Sequence, residues 1–479
     1  MGYHPGFEDD GIYLSAVKAD LNPSLYPHDA DFFRLQLQAT VFDRVISGFV
    51  RLTQIPIPWA ELLWQFVSLY TILWAAHGIA QRLFAETRTQ WAGLALLGAM
   101  FTLPVAGTAL NLADQHLHPR NIATALLLIG IERMLAGRKW HSVAFVLLAV
   151  IVHPIMAAFG ASFCLFLAIA ERLQLPVSPH DIGIGTTRMA GAFPLSWIFE
   201  PPTPAWRRAL NTRTYYFLYR WTWYEWLGAI GPLVLFWLLR RYAVRRGESQ
   251  LARFSFALLL YGAFQQAVAM LLLAPPALVR ATPLQPMRYL HLEYLFLVLI
   301  AGCLAGRHML HRQAWRWALF LVLANAGMFL SQRLLLPASE HLELPSRASA
   351  NCWLPAFAWI RQNTPADAYF ALDPGYLALP GEDYHSFRAL AERSQLADAL
   401  KDGAVVTQIP RLAPRWAEEV DAQSGWNRFQ IADFERLKTR FGVNWVLVSY
   451  PPPSRLNCIW HNDLLTVCRI APPGAVPRH

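Results

Sequence analysis

A mainly α-helical, polytopic transmembrane bundle joined to a small C-terminal α/β domain is the fold class this sequence predicts. Composition is the first reason: 55% of the 479 residues are hydrophobic and only 15% are charged. An ordinary soluble domain carries about 25% charged residues, so this chain lacks the polar surface to cover a globule of its size. The second reason is a series of apolar stretches along the first 331 residues, several near the ~20 residues that a spanning helix needs. The third is a shift to mixed composition from about residue 340. The same figures exclude disorder and collagen-like structure, and five cysteines in so long a chain exclude a small disulfide scaffold.

The apolar stretches run at roughly 59–81, 91–110, 121–136, 141–170, 224–240, 254–274, 289–306 and 314–331. Residues 141–170 are too long for one straight crossing and contain His153-Pro154. Proline removes a backbone donor and kinks or breaks a helix, which predicts one bent crossing or two half-helices, and a bundle of about 8–10 helices over 59–335. Basic residues set the orientation. Arg82 and Arg88, Arg133, Arg138 and Lys139, then Arg240, Arg241, Arg245, Arg246 and Arg253, and finally Arg307, Arg312 and Arg316 follow alternate spans. With 141–170 as a single crossing, these four loops are cytoplasmic and both chain ends lie outside. The loop at about 171–223 is then external, yet it holds Arg172, Arg188, Arg207, Arg208, Arg213 and Arg220. Either a further crossing lies near it or those arginines serve a purpose; the second reading is preferred. The net charge is +9, and only four of the 41 basic residues are lysines. Arginine suits forked phosphate recognition, although a GC-rich genome produces the same bias.

Residues 1–58 read as a first external loop with amphipathic helices. Phe42, Val45, Ile46, Phe49 and Val50 share one helix face, opposite Asp43, Arg44 and Arg51. Such a helix lies in the interfacial plane or packs on the spans. Met1 opens into a polar segment with neither a basic n-region nor an apolar h-region, so an upstream transmembrane helix is expected to be missing. Tyr215, Tyr216, Tyr219, Trp221, Trp223, Tyr224 and Trp226 suit an aromatic belt at the water interface. Residues 340–479 read as an extracytoplasmic α/β domain: a helix over 353–362, a strand over 368–372, a helix over 434–441 capped by Gly442, a strand over 443–449, and a hairpin turning at 461–463. Pairing Trp460 with Leu464 sets Cys458 opposite Thr466, which puts a Cys458–Cys468 bridge out of register.

Glu8-Asp9-Asp10 precedes the apolar run Ile12, Tyr13, Leu14. Adjacent carboxylates can bind a divalent cation or take a proton from a hydroxyl, and their repulsion pushes one pKa upward. The plain alternative is an N-terminal acidic cluster at the positive end of a helix. In the second external loop, Asp114 and Arg120 stand at a membrane mouth, where they can position a polar substrate; Arg120 can equally snorkel. His116 and His118, two residues apart, do not share a helix face, which weakens a metal site there. His153 is an intramembrane ionisable group and hence a functional candidate, or a neutral histidine satisfied by a carbonyl that Pro154 frees. Arg207, Arg208, Arg213 and Arg220, interleaved with aromatics, and Arg280 and Arg288 around the next loop can hold phosphate in bidentate pairs or meet bulk anionic lipid. Nucleic acid is excluded because this patch faces the wrong compartment. No Walker, Rossmann, Gly-x-Ser-x-Gly, His-Glu-x-x-His or Cys-x-x-Cys pattern occurs.

Together these features resemble the GT-C superfamily of polytopic membrane glycosyltransferases, in its uncharacterised bacterial branch. The segments that carry the resemblance are Gly6-Phe-Glu-Asp-Asp-Gly-Ile-Tyr-Leu14, Leu21-Asn-Pro-Ser-Leu-Tyr-Pro-His-Asp29, Asp114 through Arg120, and the His153-Pro154 break. Trp359 through Pro365, Ser386-Phe-Arg388 and Ala391 through Ser394 are similar to the external domain of that superfamily. The resemblance implies inverting sugar transfer from a polyprenyl-phosphate-linked donor on the non-cytoplasmic face of a bacterial inner membrane. Asp9 would act as the base or orient the acceptor, with Glu8 and Asp10 beside it. Asp114, Arg120, Arg213, Arg220, Arg280, Arg288 and His153 would bind substrate. No cofactor is demanded; a metal, if one takes part, would be a divalent cation (Mg or Mn) at Asp9 and Asp10. Membrane lipid and the lipid-linked sugar are the expected partners. The rival readings are a non-catalytic lipid-phosphate binder and a lipid or solute transporter. A transporter favours repeated halves with matching helix breaks, and only the break at Pro154 is evident.

Overall fold

The computed structural model describes residues 1–174, 200–454 and 456–470. Three helices precede the long apolar ones: α1 (Asp10–Leu21), α2 (Asp31–Leu37) and α3 (Phe42–Thr53). The bundle follows with α4 (Ile57–Leu83), α5 (Thr87–Ala99), α6 (Pro119–Leu135), α7 (Lys139–Val152) and α8 (Pro154–Gln174). Beyond a short helix, α9 (Pro204–Asn211), come α10 (Trp223–Arg245), α11 (Ser249–Leu273), α12 (Leu290–Ala305) and α13 (Ala314–Leu335). Among the described residues, six helical segments are long and apolar enough to cross a membrane: 57–83, 154–173, 223–245, 249–273, 286–310 and 314–335. The chain is an integral, multi-pass membrane protein. The segment at 286–310 is 72% buried and central, whereas 314–335 is 17% buried and lies at the rim. Outward-facing Trp140, Leu147 and Ile151 on α7 and Ile230, Val234 and Leu238 on α10 present the apolar surface that lipid covers.

Two expected crossings differ. Helix α5 stops at Ala99 instead of spanning 91–110, because the following residues include Pro104 and turn at Ala106 and Ala109, both at positive φ. The irregular stretch closes on itself through the Val105 N–H, which donates to the Leu110 carbonyl at 2.8 Å. The stretch 141–170 is two antiparallel helices and not one crossing. His153 has extended backbone (φ −152°, ψ 89°) and Pro154 begins α8. Pro154 cannot continue a helix that would need its N–H. The Lys139 end of α7 adjoins the end of α6, while Glu171, near the end of α8, pairs with Arg253 at 3.5 Å. That end of the bundle also gathers Arg82–Glu132 (3.1 Å) and Arg307–Glu248 (2.6 Å). Arg172 therefore joins the basic end. Arg188 and any additional crossing over 175–199 lie outside the described residues.

On α3, Phe42 and Ile46 are buried and Val45 is exposed. The inner face packs on α1, with the Phe42 ring 5.6 Å from Tyr13. Of the aromatic stretch, Tyr216 and Trp221 are buried, whereas Tyr219, Trp223 and Tyr224 face outward.

The C-terminal region forms a five-stranded sheet, ordered β2-β1-β3-β5-β4. Helix α14 (Trp353–Asn363) precedes β1 (Tyr369–Ala371), which is parallel to β2 (Ser394–Gln395) and to β3 (Trp445–Ser449). Helices α15 (Phe387–Ala391), α16 (Lys401–Gln408), α17 (Ala413–Ala422) and α18 (Ile431–Phe441) interleave, and Gly442 caps α18 at φ +79°. The hairpin β4 (Asn457–His461) and β5 (Leu465–Arg469) adds antiparallel to β3. Side chains alternate across β3, so Trp445 and Leu447 join the apolar cluster around Trp353 and Phe357. Val446 and Val448 join the one around Phe434 and Leu437. Here the expected register fails. Pairing starts at His461–Thr466, which sets Trp460 opposite Val467, and a bulge between Cys458 and Trp460 leaves Ile459 unpaired. Cys458 then faces Cys468, and the two are disulfide-bonded.

The first sixty residues are bound into this C-terminal fold. Lys18 pairs with Glu392 at 2.7 Å, and Tyr26 donates to the Arg388 carbonyl at 2.8 Å. Gly11 packs against Ser386 so closely that a Cβ there would lie 2.5 Å from Oγ. Arg388 reaches from α15 to Asp29 and grips Asp402 with two N–H groups, at 2.7 and 2.8 Å.

Candidate functional site

The start of α1 decides how the acidic run is presented. Glu8 lies at φ +46°, its N–H bonded to the Tyr384 carbonyl at 2.9 Å, and Asp9 is the N-cap. Asp10 turns inward, where its Oδ2 accepts the Gly6 N–H at 2.8 Å. Glu8 and Asp9 instead face a cavity of about 450 Å³ at the bundle end opposite the Arg82–Glu132 pair. The turn between α7 and α8 supplies His153 and Ile155 to its wall, and α16 supplies Lys401 and Gln408. Arg213 and Arg288 complete its cationic side.

Lys401 donates to Asp9 Oδ1 at 2.9 Å and stands 3.7 Å from Glu8. It is the first residue of α16, the positive end of the helix dipole, so a cation there depends on acidic neighbours. His118 caps α6: its Nδ1 accepts the Arg120 N–H at 2.9 Å. That bond leaves the proton on Nε2, which lies 3.5 Å from Asp9 Oδ2. Behind this layer Asp114 takes both arms of Arg120, at 2.9 and 2.6 Å. Buried nitrogens on Arg213 (Nε and one terminal nitrogen) and on Arg288 (Nε) have no hydrogen-bond partner among the described residues. Unspent guanidinium donors beside a polar cavity are what an anion would satisfy.

Electrostatics separates the two aspartates. Burial works to raise the Asp9 carboxyl, but Lys401 and then His118 outweigh it and hold it well below the ordinary carboxylate range. Burial, reinforced by Glu61, drives Asp10 well above that range. The expected upward shift therefore falls on the carboxyl that does not line the cavity, because burial and then Glu61 act on it without a cation close enough to outweigh them. Asp114 faces the same burial and is held low by Arg120. Burial lowers His118 and takes His116 down to about 3.

Of the residues singled out from sequence, Glu8, Asp9, His153, Arg213 and Arg288 line the cavity, and Asp114 and Arg120 brace it from behind. Asp10 is turned away. Arg220 lies outside on the rings of Phe217 and Tyr219, because its short 3-10 turn points to the surface. Arg280 is spent on the carbonyls of Glu200 and Pro201, at 3.1 and 3.0 Å. The His153 Nδ1 accepts the Met156 N–H at 3.4 Å, so it satisfies a donor at the start of α8 and not a freed carbonyl. A divalent cation at Asp9 and Asp10 does not fit: their carboxylates diverge, and the Lys401 ammonium holds the position beside Asp9. Lys401 itself went unrecognised in the sequence. The available signal was its scarcity, as one of four lysines, beside Asp398 and Asp402.

Comparison with protein-family models finds no match, and comparison with curated proteins finds none. Among solved structures, the chain is similar to the archaeal oligosaccharyltransferase AglB from Archaeoglobus fulgidus, determined in complex with an inhibitory peptide and a dolichol-phosphate. Identity is 15% and the TM-score 0.21, covering 92% of this chain and 57% of that one. The present chain thus spans little more than half of that protein's length, and a likeness this low carries no weight for function. The fold and the cavity define the class: a multi-pass membrane protein with an acidic–cationic cavity at one end of its helix bundle.

Proposed function

We propose that this chain is a GT-C-like glycosyltransferase acting on a sugar linked to a polyprenyl phosphate. One observation carries the reading: Glu8 and Asp9 share a cavity with Arg213, Arg288 and Lys401, and guanidinium donors there lack partners among the described residues. The donor phosphate would lie among the three cations and the sugar towards Asp9. An acceptor hydroxyl oxygen attacks the anomeric carbon, the bond from that carbon to the phosphate oxygen breaks, and Asp9 takes the hydroxyl proton. The charge that builds on the leaving phosphate meets fixed cations, where such stabilisation is largest. As prepared, Asp9 is a weak base because Lys401 is paired with it. A phosphate that draws the Lys401 ammonium away returns basicity to Asp9 as it binds. Positive residues gather at the opposite end of the bundle, which supports a non-cytoplasmic cavity; in a bacterium that would be the outer face of the inner membrane.

The test is mass spectrometry of lipid copurified with the full chain, followed by transfer assays with the matching donor. Asp9→Asn is expected to fold normally and lose transfer by about 10²–10⁴-fold; transfer at the wild-type rate overturns the base assignment. The Asp9–Lys401 pairing also suits a lipid-phosphate binder that transfers nothing. That reading predicts copurified lipid, no turnover with any donor, and unchanged binding in Asp9→Asn.

A further inference from the structure

We infer that His4, Glu343 and His385 form a binding site for a transition-metal dication of the zinc class, which clips the N-terminal segment to the C-terminal fold. The three residues come from the segment before α1, the connection after α13, and the turn before α15. One ligand atom from each lies within 4.8 Å of the others. His385 Nε2 is 2.9 Å from Glu343 Oε2, and His4 Nδ1 is 3.4 Å from Glu343 Oε1. Zinc bonds of about 2.0–2.2 Å in a tetrahedron place neighbouring ligand atoms roughly 3.3 Å apart, so small rotations suffice to admit an ion.

Hydrogen-bond accounting points the same way. His4 is 1% exposed, Glu343 8% and His385 0%, yet His4 Nδ1 and Glu343 Oε1 have no hydrogen-bond partner among the described residues. Two buried atoms left unsatisfied at one spot are costly unless something occupies the space between them. His385 Nδ1 donates to the Glu382 carbonyl at 3.0 Å, which orients the ring so that Nε2 faces Glu343, where an ion would take the place of the proton shared with Oε2. Metal-ligating histidines are oriented in this way. Two imidazoles and one carboxylate suit zinc and its neighbours, whereas magnesium and calcium prefer all-oxygen shells. A fourth position remains for water or another donor.

The surrounding backbone shows what such an ion would secure. Tyr3 bridges to Leu342 in parallel, its N–H donating to the His341 carbonyl at 3.1 Å and its carbonyl accepting the Glu343 N–H at 2.9 Å. The Ser386 N–H reaches the Gly6 carbonyl at 2.7 Å. His4 is five residues before Asp9, so the clip holds the strand that presents the cavity carboxylates, while none of the three ligands lines that cavity. The site stands independently of the glycosyl-transfer reading.

The experiment is metal analysis of the full chain purified in detergent without chelator, followed by titration of chelator-treated protein with Zn²⁺ or Mg²⁺ alone. One equivalent of zinc per chain is expected in wild type and in Asp9→Asn. His4→Gln and His385→Gln should lose it, with affinity falling ~10-fold or more. Zn²⁺ should raise the unfolding temperature of the metal-free protein and Mg²⁺ should not. Co²⁺ in place of zinc should show the visible absorption of a four-coordinate nitrogen–oxygen site. His4→Gln lies outside the C-terminal fold and serves if His385→Gln fails to fold. Wild type that neither retains nor responds to Zn²⁺ reduces the trio to a His385–Glu343 ion pair and overturns the proposal. Zinc retained undiminished in His4→Gln, by placing the ion elsewhere, overturns it as well.

Discussion

Arg388→Met should destabilise the protein by about 3–5 kcal/mol, the usual cost of breaking a buried ion pair from one side. Arg388 is 3% exposed and makes three side-chain bonds, one to Asp29 and two to Asp402, whose own exposures are 0% and 1%. Both carboxylates would lose their cation, yet neither would be left bare. Asp29 keeps the Gln395 N–H at 3.0 Å and Asp402 keeps the Asp398 N–H at 2.9 Å, which holds the cost near that of one broken pair. Thermal unfolding in detergent should show a fall of about 3–5 °C, taking roughly 1 °C per kcal/mol for a chain of this length. Arg388→Lys keeps the charge and loses the fork, so it should fall between methionine and wild type. Adding Asp402→Asn to Arg388→Met should cost less than the two changes separately, because one buried charge disappears with its partner. A fall below about 2 °C for Arg388→Met, or strict additivity in the double variant, would refute the reasoning.

Three further outcomes follow from other parts of the molecule. Lys401→Met removes the charge that holds Asp9 low and leaves burial to raise it. The acid limb of the kcat/KM profile for transfer should move to higher pH; a slower rate with an unmoved limb would count against the pairing. Arg288→Gln should raise KM for a phosphate-linked donor more than it lowers stability, since its Nε makes no hydrogen bond among the described residues. Donor titration beside a melting curve separates the two effects. Cys458→Ser opens a loop of sequence separation 10 and should cost about 2–3 kcal/mol, and wild type under reductant should melt at the same temperature as the variant.

The legibility of the fold followed the range of the interactions behind it. Apolar runs at 59–81 and 254–274 became α4 and α11, and the run at 353–362 became α14, because helix periodicity and burial act over neighbouring turns. Gly442 ended α18 as its lack of a Cβ allows. The hairpin turn was equally local, but the bulge at Ile459 was not. The loop is wider than expected, which moves the partner of Trp460 from Leu464 to Val467, and with the bulge Cys458 faces Cys468 rather than Thr466. The candidate site divides in the same way. Glu8, Asp9, Arg213 and Arg288 stood out as charges in apolar or aromatic surroundings, whereas Lys401 looked like an ordinary helical lysine.

By itself the sequence determined that this is a helical membrane bundle with a small α/β appendage, and which charged residues sit where charge is expensive. Tertiary structure alone decided which of them meet. Asp9 finds Lys401 across 392 positions and Arg388 finds Asp29 across 359. It also decided that Asp9 is held low while Asp10, its immediate neighbour, is driven up. The physical reason is that burial follows from a residue's own chemistry and spacing. The field at a carboxylate depends on charges brought close by the folded chain, and sequence separation says little about those.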